Sequence, residues 1–284
     1  MTEPSVTDPR QLRDYADQVL ELHEAGELDA ALEAAESLEA HAAAGDLTDE
    51  VVRESLFTAR FERALLLNEL GEVEQAADAY ARAAATPTDP DDPDQRHEVA
   101  MALLNRGICL DEAGDAQVAL AAYDEVIRRF GDADDPVTAD LATRARTNRA
   151  ASLLGLGYAS QVIDEVATIA DELADDEPLA VEQLLIGRRL RAAAEQQLGR
   201  FDEALAAVTD LPGEHLDEPA VVVQRAAAQH DRAELLVELD RADEAGALLD
   251  HLDGVVAAEP DLAELGDEVA RTRARLTDGW PGGG

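Results

Sequence analysis

The sequence predicts an all-α protein built from about six antiparallel helix hairpins stacked in order and closed by one further helix. Three observations lead there. Turn-forming residues recur at positions 26, 71, 114, 157, 199 and 240, separated by 45, 43, 43, 42 and 41 residues, and a fixed period of this size marks a repeat architecture. Ala and Leu dominate the apolar residues while aromatics supply only 3%, which suits helices packed closely through small side chains. No window alternates Val, Ile and Thr in the way a strand does.

Each unit reads as two helices. The first ends at the turn residue, Gly26, Gly71, Gly114, Gly157 or Gly199, which can take a positive φ just past a helix end; Asp240 stands there in the sixth unit. Seven residues earlier comes a small residue (Ala64, Gly107, Ala150, Ala192, Ala233), two helical turns back, where the partner helix must approach. The second helix presents Ala76, Ala119 and Ala204 five residues after the turn, with Val162 in the fourth unit. Nine after the turn stand Tyr80, Tyr123, Val166, Val208 and Leu249, which completes one apolar stripe per helix. Acidic, Pro-containing loops at 87–94, 131–136, 175–178 and 212–219 separate the units. Pro stops one helix and suits the first turn of the next, and Asp caps N-termini. The stretch 261–276 carries Leu262, Leu265, Val269 and Leu276 at helical spacing and reads as a capping helix. Residues 1–8 and 277–284 are expected to be disordered, leaving 9–276 as a single domain.

Charge narrows the function. Sixty-three Asp and Glu face 23 basic residues, all of them Arg, for a formal net charge of -40. Nucleic acid and anionic membranes need clustered cations and are poor partners for such a surface. No apolar run approaches the ~18–20 residues of a membrane span, and the opening MTEPSVTDPR is not a signal peptide. Like charges at this density repel in dilute buffer, whereas ~1 M salt shortens the screening length to ~3 Å. The composition therefore reads as a cytoplasmic protein of an organism with molar internal salt, such as a halophilic archaeon; the alternative is an acidic protein of an Arg-rich, high-GC bacterium.

The strongest unit runs Ala102-Leu103-Leu104-Asn105-Arg106-Gly107-Ile108-Cys109-Leu110-Asp111-Glu112-Ala113-Gly114 and continues through Ala119 and Tyr123 to Phe130. It resembles a tetratricopeptide repeat (TPR), with the family's small-residue, turn-Gly, Ala and aromatic positions on Gly107, Gly114, Ala119 and Tyr123. The resemblance covers roughly residues 9–253, with a period of about 42 in place of the usual 34, similar to the longer repeats of kinesin-light-chain-like proteins. It implies a right-handed α-solenoid whose inner wall, made of first helices, receives a peptide or helix of another protein. On that implication the groove carries Phe61, Leu65, Asn105, Ile108, Arg144, Thr147, Asn148, Arg189 and His230.

Chemistry is sparse elsewhere. Without Lys there is no phosphate-binding Gly-x4-Gly-Lys loop, and Gly-x-Ser-x-Gly, His-Glu-x-x-His and a dinucleotide-binding glycine pattern are all missing. The six His residues are scattered and read as surface or loop positions, and Cys109 as a small buried hydrophobe. The loop 89–94 has the acids of a calcium site but not the glycine at its sixth position or the Glu at its twelfth, so it reads as a solvated linker. We therefore expect no enzyme activity, no cofactor and no metal. A ladder of Arg63, Arg106, Arg149, Arg191 and Arg232 stands eight residues before five successive turns. Each guanidinium either crosses to a carboxylate on a neighbouring helix or grips an acidic or C-terminal peptide. Arg144, Arg146, Arg149, Arg188, Arg189 and Arg191 form a basic island expected to face the partner. A protein-interaction scaffold is the first reading; a ligand-responsive sensor acting on a separate effector is the second.

Overall fold

The computed structural model describes residues 8–89, 91–173, 178–213, 215 and 217–277. Of the expected disorder at 1–8 and 277–284, residues 1–7 and 278–284 lie outside them, while Asp8 caps α1 and Thr277 ends α13; parts of the acidic loops at 90, 174–177, 214 and 216 also lie outside. Among the described residues there are thirteen α-helices and no strand: α1 (Pro9–Glu24), α2 (Leu28–Ala43), α3 (Glu50–Glu69), α4 (Val73–Ala84), α5 (Pro93–Glu112), α6 (Ala116–Phe130), α7 (Pro136–Gly155), α8 (Ala159–Glu172), α9 (Pro178–Gln197), α10 (Phe201–Ala207), α11 (Pro219–Glu238), α12 (Ala242–Ala258) and α13 (Ala263–Thr277). A short 3-10 turn, Pro260–Leu262, leads into α13. Odd-numbered helices up to α11 are the first helices of the hairpins and even-numbered ones the second. The chain divides into two compact units, 1–152 and 153–284.

The hairpin turns follow from the sequence pattern. Gly26, Gly71, Gly114, Gly157 and Gly199 all have φ between 74° and 84°, and Asp240 has φ 57°. In every turn the N–H of that residue bonds a carbonyl three back, and the next N–H bonds one five back: Gly114 to Asp111 and Asp115 to Leu110, for example. The same pair of bonds recurs at 26/27, 71/72, 157/158, 199/200 and 240/241. This is the Schellman closure, in which the main chain satisfies the orphan carbonyls of the first helix. The second helices accordingly begin with no side-chain cap. First helices behave differently. Asp8, Asp49, Asp92 and Asp135 accept from main-chain N–H groups of the first turns of α1, α3, α5 and α7.

In the first unit the small residues Ala64 and Gly107 are buried where the second helix crosses, and Ala150 is buried too. Tyr80 and Tyr123 are each only 1% exposed. The core runs from Leu12, Val19, Leu38 and Leu56 through Tyr80 and Leu104 to Tyr123, Val126 and Leu141. In the second unit Val162 and Ala245 fill the place of the helix-contact Ala at 0% exposed, and Val166, Val208 and Leu249 the place of the aromatic. Leu262, Leu265 and Val269 of the last turn and helix pack on Ala226, Ala233, Leu249 and Leu252, so α13 covers the end of the α11–α12 hairpin. The helix α10 is only seven residues long. The chain that follows it is held by two arginines, Arg188 on the carbonyl of Asp210 and Arg225 on that of Pro212, while Leu211 fills the space beside Val181, Leu185 and Val221.

Candidate protein-interaction surface

Polar ties join consecutive first helices in register. In the first unit, Cys109 Sγ lies 3.6 Å from Asn68 Oδ1, and Asp111 Oδ2 accepts from the Tyr123 hydroxyl at 2.8 Å and from Ser152 Oγ at 2.6 Å. His23 of α1 reaches Glu62 and Glu69 of α3. In the second unit, Gln197 Nε2 donates to the Leu154 carbonyl at 3.2 Å. Arg189 Nε donates to Asp231 Oδ2 at 2.7 Å, and its Nη1 to Gln224 Oε1 at 3.1 Å. The ring of His230 lies 3.0 Å from Thr272 Oγ1, and Arg275 bridges Glu234 and Glu238. Thus α13 engages α11 as a further first helix would.

Two adjoining cavities open in the second unit. One, of about 290 Å³, lies between α9 and α11 and is mostly apolar, with Leu154, Ile186, Leu190, Ala193 and Leu235 among its walls. The other, of about 460 Å³, is polar and lies between α11 and α13, lined by His230, Glu268, Arg271, Thr272 and Arg275. Arg189, Asp231 and Glu234 border both. The basic side chain most open to solvent here is Arg271, 72% exposed and 3.8 Å from Glu268. Pattern reading missed this pairing of cavities, because the α11–α13 wall depends on a helix outside the repeat period.

The sequence-derived groove residues fare unequally. In the first unit Phe61 is partly buried, its ring centroid 5.5 Å from that of Phe57 and 5.4 Å from that of Tyr80. Asn105, hydrogen-bonded to Tyr80, and Ile108 and Asn148 are also partly exposed. Arg144 is exposed and paired with Asp140 of its own helix at 2.8 Å. Thr147 is 3% exposed with its hydroxyl on the Thr143 carbonyl, so it offers no surface to a partner. In the second unit Arg189 borders both cavities, but His230 is 5% exposed beneath α13. That burial also corrects the reading of the histidines as surface or loop residues: α13 lies over His230, and pairing with two carboxylates draws His23 in.

The arginine ladder divides by what faces it. Arg63 Nε meets Glu36 at 3.1 Å and Arg149 Nε meets Asp124 at 2.7 Å. Glu36 and Asp124 each stand ten residues after the preceding turn. The corresponding residues before Arg106, Arg191 and Arg232 are Ala81, Ala167 and Thr209, which carry no charge. Arg191 is exposed, and Arg232 Nε is buried without a hydrogen bond among the described residues. Burial pushes the Cys109 thiol up to about 11, away from reactive thiolate. Among the described residues no cluster of His, Cys, Asp and Glu could hold a metal ion, and no helix is long and apolar enough to cross a membrane.

The fold is shared with solved structures. A tetratricopeptide repeat protein from Parabacteroides merdae superposes with a TM-score of 0.60 at 15% identity, over 96% of this chain and 95% of that one. A Podosopora anserina kinesin light chain with nearly identical TPR-like repeats matches at 16% identity over 88% of this chain and 96% of that one, with a TM-score of 0.47. No protein-family model and no curated protein matches the chain. The protein is an all-α helical-repeat protein with a TPR-like fold. At 15% identity the likeness to the bacterial protein is one of fold.

Proposed function

We propose that this protein is a non-enzymatic interaction module that receives a peptide or helix of another protein on its first-helix face, at the α9–α11–α13 groove. The observation that carries this reading is the pair of adjoining cavities, one apolar and one polar, that share Arg189, Asp231 and Glu234. An apolar slot beside fixed polar groups anchors a side chain and orients its backbone. Exposed Arg271 supplies a guanidinium for an acidic residue of the partner. Capture of a partner from native lysate in ~1 M KCl identifies the segment to synthesise. Binding of that synthetic segment is expected to fall at least tenfold with Arg271→Glu and with Leu190→Asp, at unchanged helicity. Full affinity in both variants would remove the groove from the reading.

The protein works, in this reading, in the cytoplasm of a salt-accumulating, halophilic archaeal cell. Support comes from the absence of Lys and the charge of -40, which concentrated salt screens. Far-UV circular dichroism from ~0.05 to ~3 M KCl tests it: helicity should rise with salt, and helicity indifferent to salt would count against it.

A further inference from the structure

One imidazole in the first unit stands between two carboxylates. His23, next to the last residue of α1, places Nδ1 2.7 Å from Glu62 Oε2 and Nε2 2.9 Å from Glu69 Oε1. Both carboxylates belong to α3. The ring and Glu62 are largely buried, at 19% and 11% exposed, while Glu69 is half exposed. A neutral imidazole has one N–H and one bare nitrogen. Two ionised carboxylates can only accept. Both contacts are therefore satisfied at once only by the doubly protonated ring, and a neutral ring would turn a lone pair toward one carboxylate at hydrogen-bond distance.

We infer that His23 is held as an imidazolium at neutral pH and acts as a proton-dependent staple between α1 and α3, so that the first hairpin loosens from the second as the pH rises. The inference stands apart from the proposed function: its residues belong to the first unit and the proposed groove to the second. The charges that face the ring come from α3 alone. The other helix packed on α1, α2, turns Leu28, Ala31, Leu32, Ala34, Ala35 and Leu38 into the shared core; of its acids, Glu36 and Glu39 are taken by Arg63 and Arg60, and Asp29 and Glu33 are exposed. On α1 itself Glu21 and Glu24 are exposed. Behind α3, the Tyr80 hydroxyl of α4 lies in the field of the same Glu62 and Glu69. Burial of the ring opposes its charge, but the hydrogen bonds it donates to Glu69 and Glu62 outweigh that and raise the proton affinity above that of a free imidazole. The sign follows: a raised value in the folded state gives stability that is complete below the ordinary ~6.5 and is lost as pH rises through the folded-state midpoint.

Ring nitrogen and proton NMR on the full chain in ~1 M KCl tests this. At pH 7 both ring nitrogens of His23 should carry protons, with a titration midpoint above ~6.5. Glu69→Gln, at a half-exposed position that leaves the fold intact, should lower the proton affinity about tenfold, one pH unit. Hydrogen exchange of α1 amides, referred to α5 amides in the same sample, should accelerate above the midpoint, and His23→Gln should abolish that pH dependence. A single ring N–H at pH 7, a midpoint at or below ~6.5, or α1 protection that ignores the titration would each overturn the inference.

Discussion

Gly107 lies against the face of Tyr123: a β-carbon built on the glycine would overlap Cε1, Cδ1 and Cζ of the ring. The contact joins the C-terminal third of α5 to the middle of α6, and both residues are buried. Tyr123 cannot retreat, because its hydroxyl donates to Asp111 at 2.8 Å.

Gly107→Ala therefore inverts the ordinary rule. In an open helix the change would stabilise by about 1 kcal/mol. Here overpacking should cost about 1–3 kcal/mol, read as a lowered urea midpoint at unchanged m-value in molar salt. A stabilised variant would mean that the ring and helix can part at little cost.

The sixth turn is the strained one. Asp240 holds φ 57° where five glycines hold 74–84°, and an L-residue there costs roughly 1–2 kcal/mol less whatever its side chain recovers. Asp240→Gly should raise thermal stability by up to ~1 kcal/mol, and Gly114→Ala should lower it by a similar ~1 kcal/mol. Thermal unfolding of both variants in one buffer checks the pair.

Glu98 should make the protein less stable as pH rises through the weakly acidic range. Burial, then the charges of Glu54, Asp92 and Asp94, push its carboxyl from 4.5 to about 7. The folded chain thus binds a proton that the unfolded chain has released, so this contribution is complete below 4.5 and is lost as pH rises to about 7. Glu98→Gln should flatten stability between those limits and stabilise the protein above them; a slope unchanged by the substitution would remove Glu98 as its cause.

What the sequence makes legible here is the local grammar. Positive φ at Gly26 through Gly199, and even at Asp240, was readable because a Schellman turn needs nothing beyond its own six residues. The buried stripe of Ala76, Ala119, Tyr80 and Tyr123 was readable for the same reason, since helical period alone sets it. Partners across helices were less accessible. The Arg63–Glu36 and Arg149–Asp124 pairs needed the register of one helix against the next, which a ladder of identical arginines does not reveal. Thr147 and His230 were placed on the groove by family register, yet Thr147 is buried with its hydroxyl on its own helix and the added helix α13 covers His230. The His23 staple arises because Glu62 sits at the position that holds Asn105 and Asn148 in later units, a substitution whose meaning appears only when α1 lies beside it.

Because main-chain groups alone close each hairpin, the side chain after the turn takes no part in closing it. Glu27, Glu72, Asp115, Tyr158, Arg200 and Arg241 occupy that place, six positions with four side-chain types of both charges and none. They are evenly spaced attachment points for spectroscopic labels. With the one native thiol, Cys109, buried and unreactive, cysteines introduced at 27, 72 and 115 would turn the first unit into its own molecular ruler.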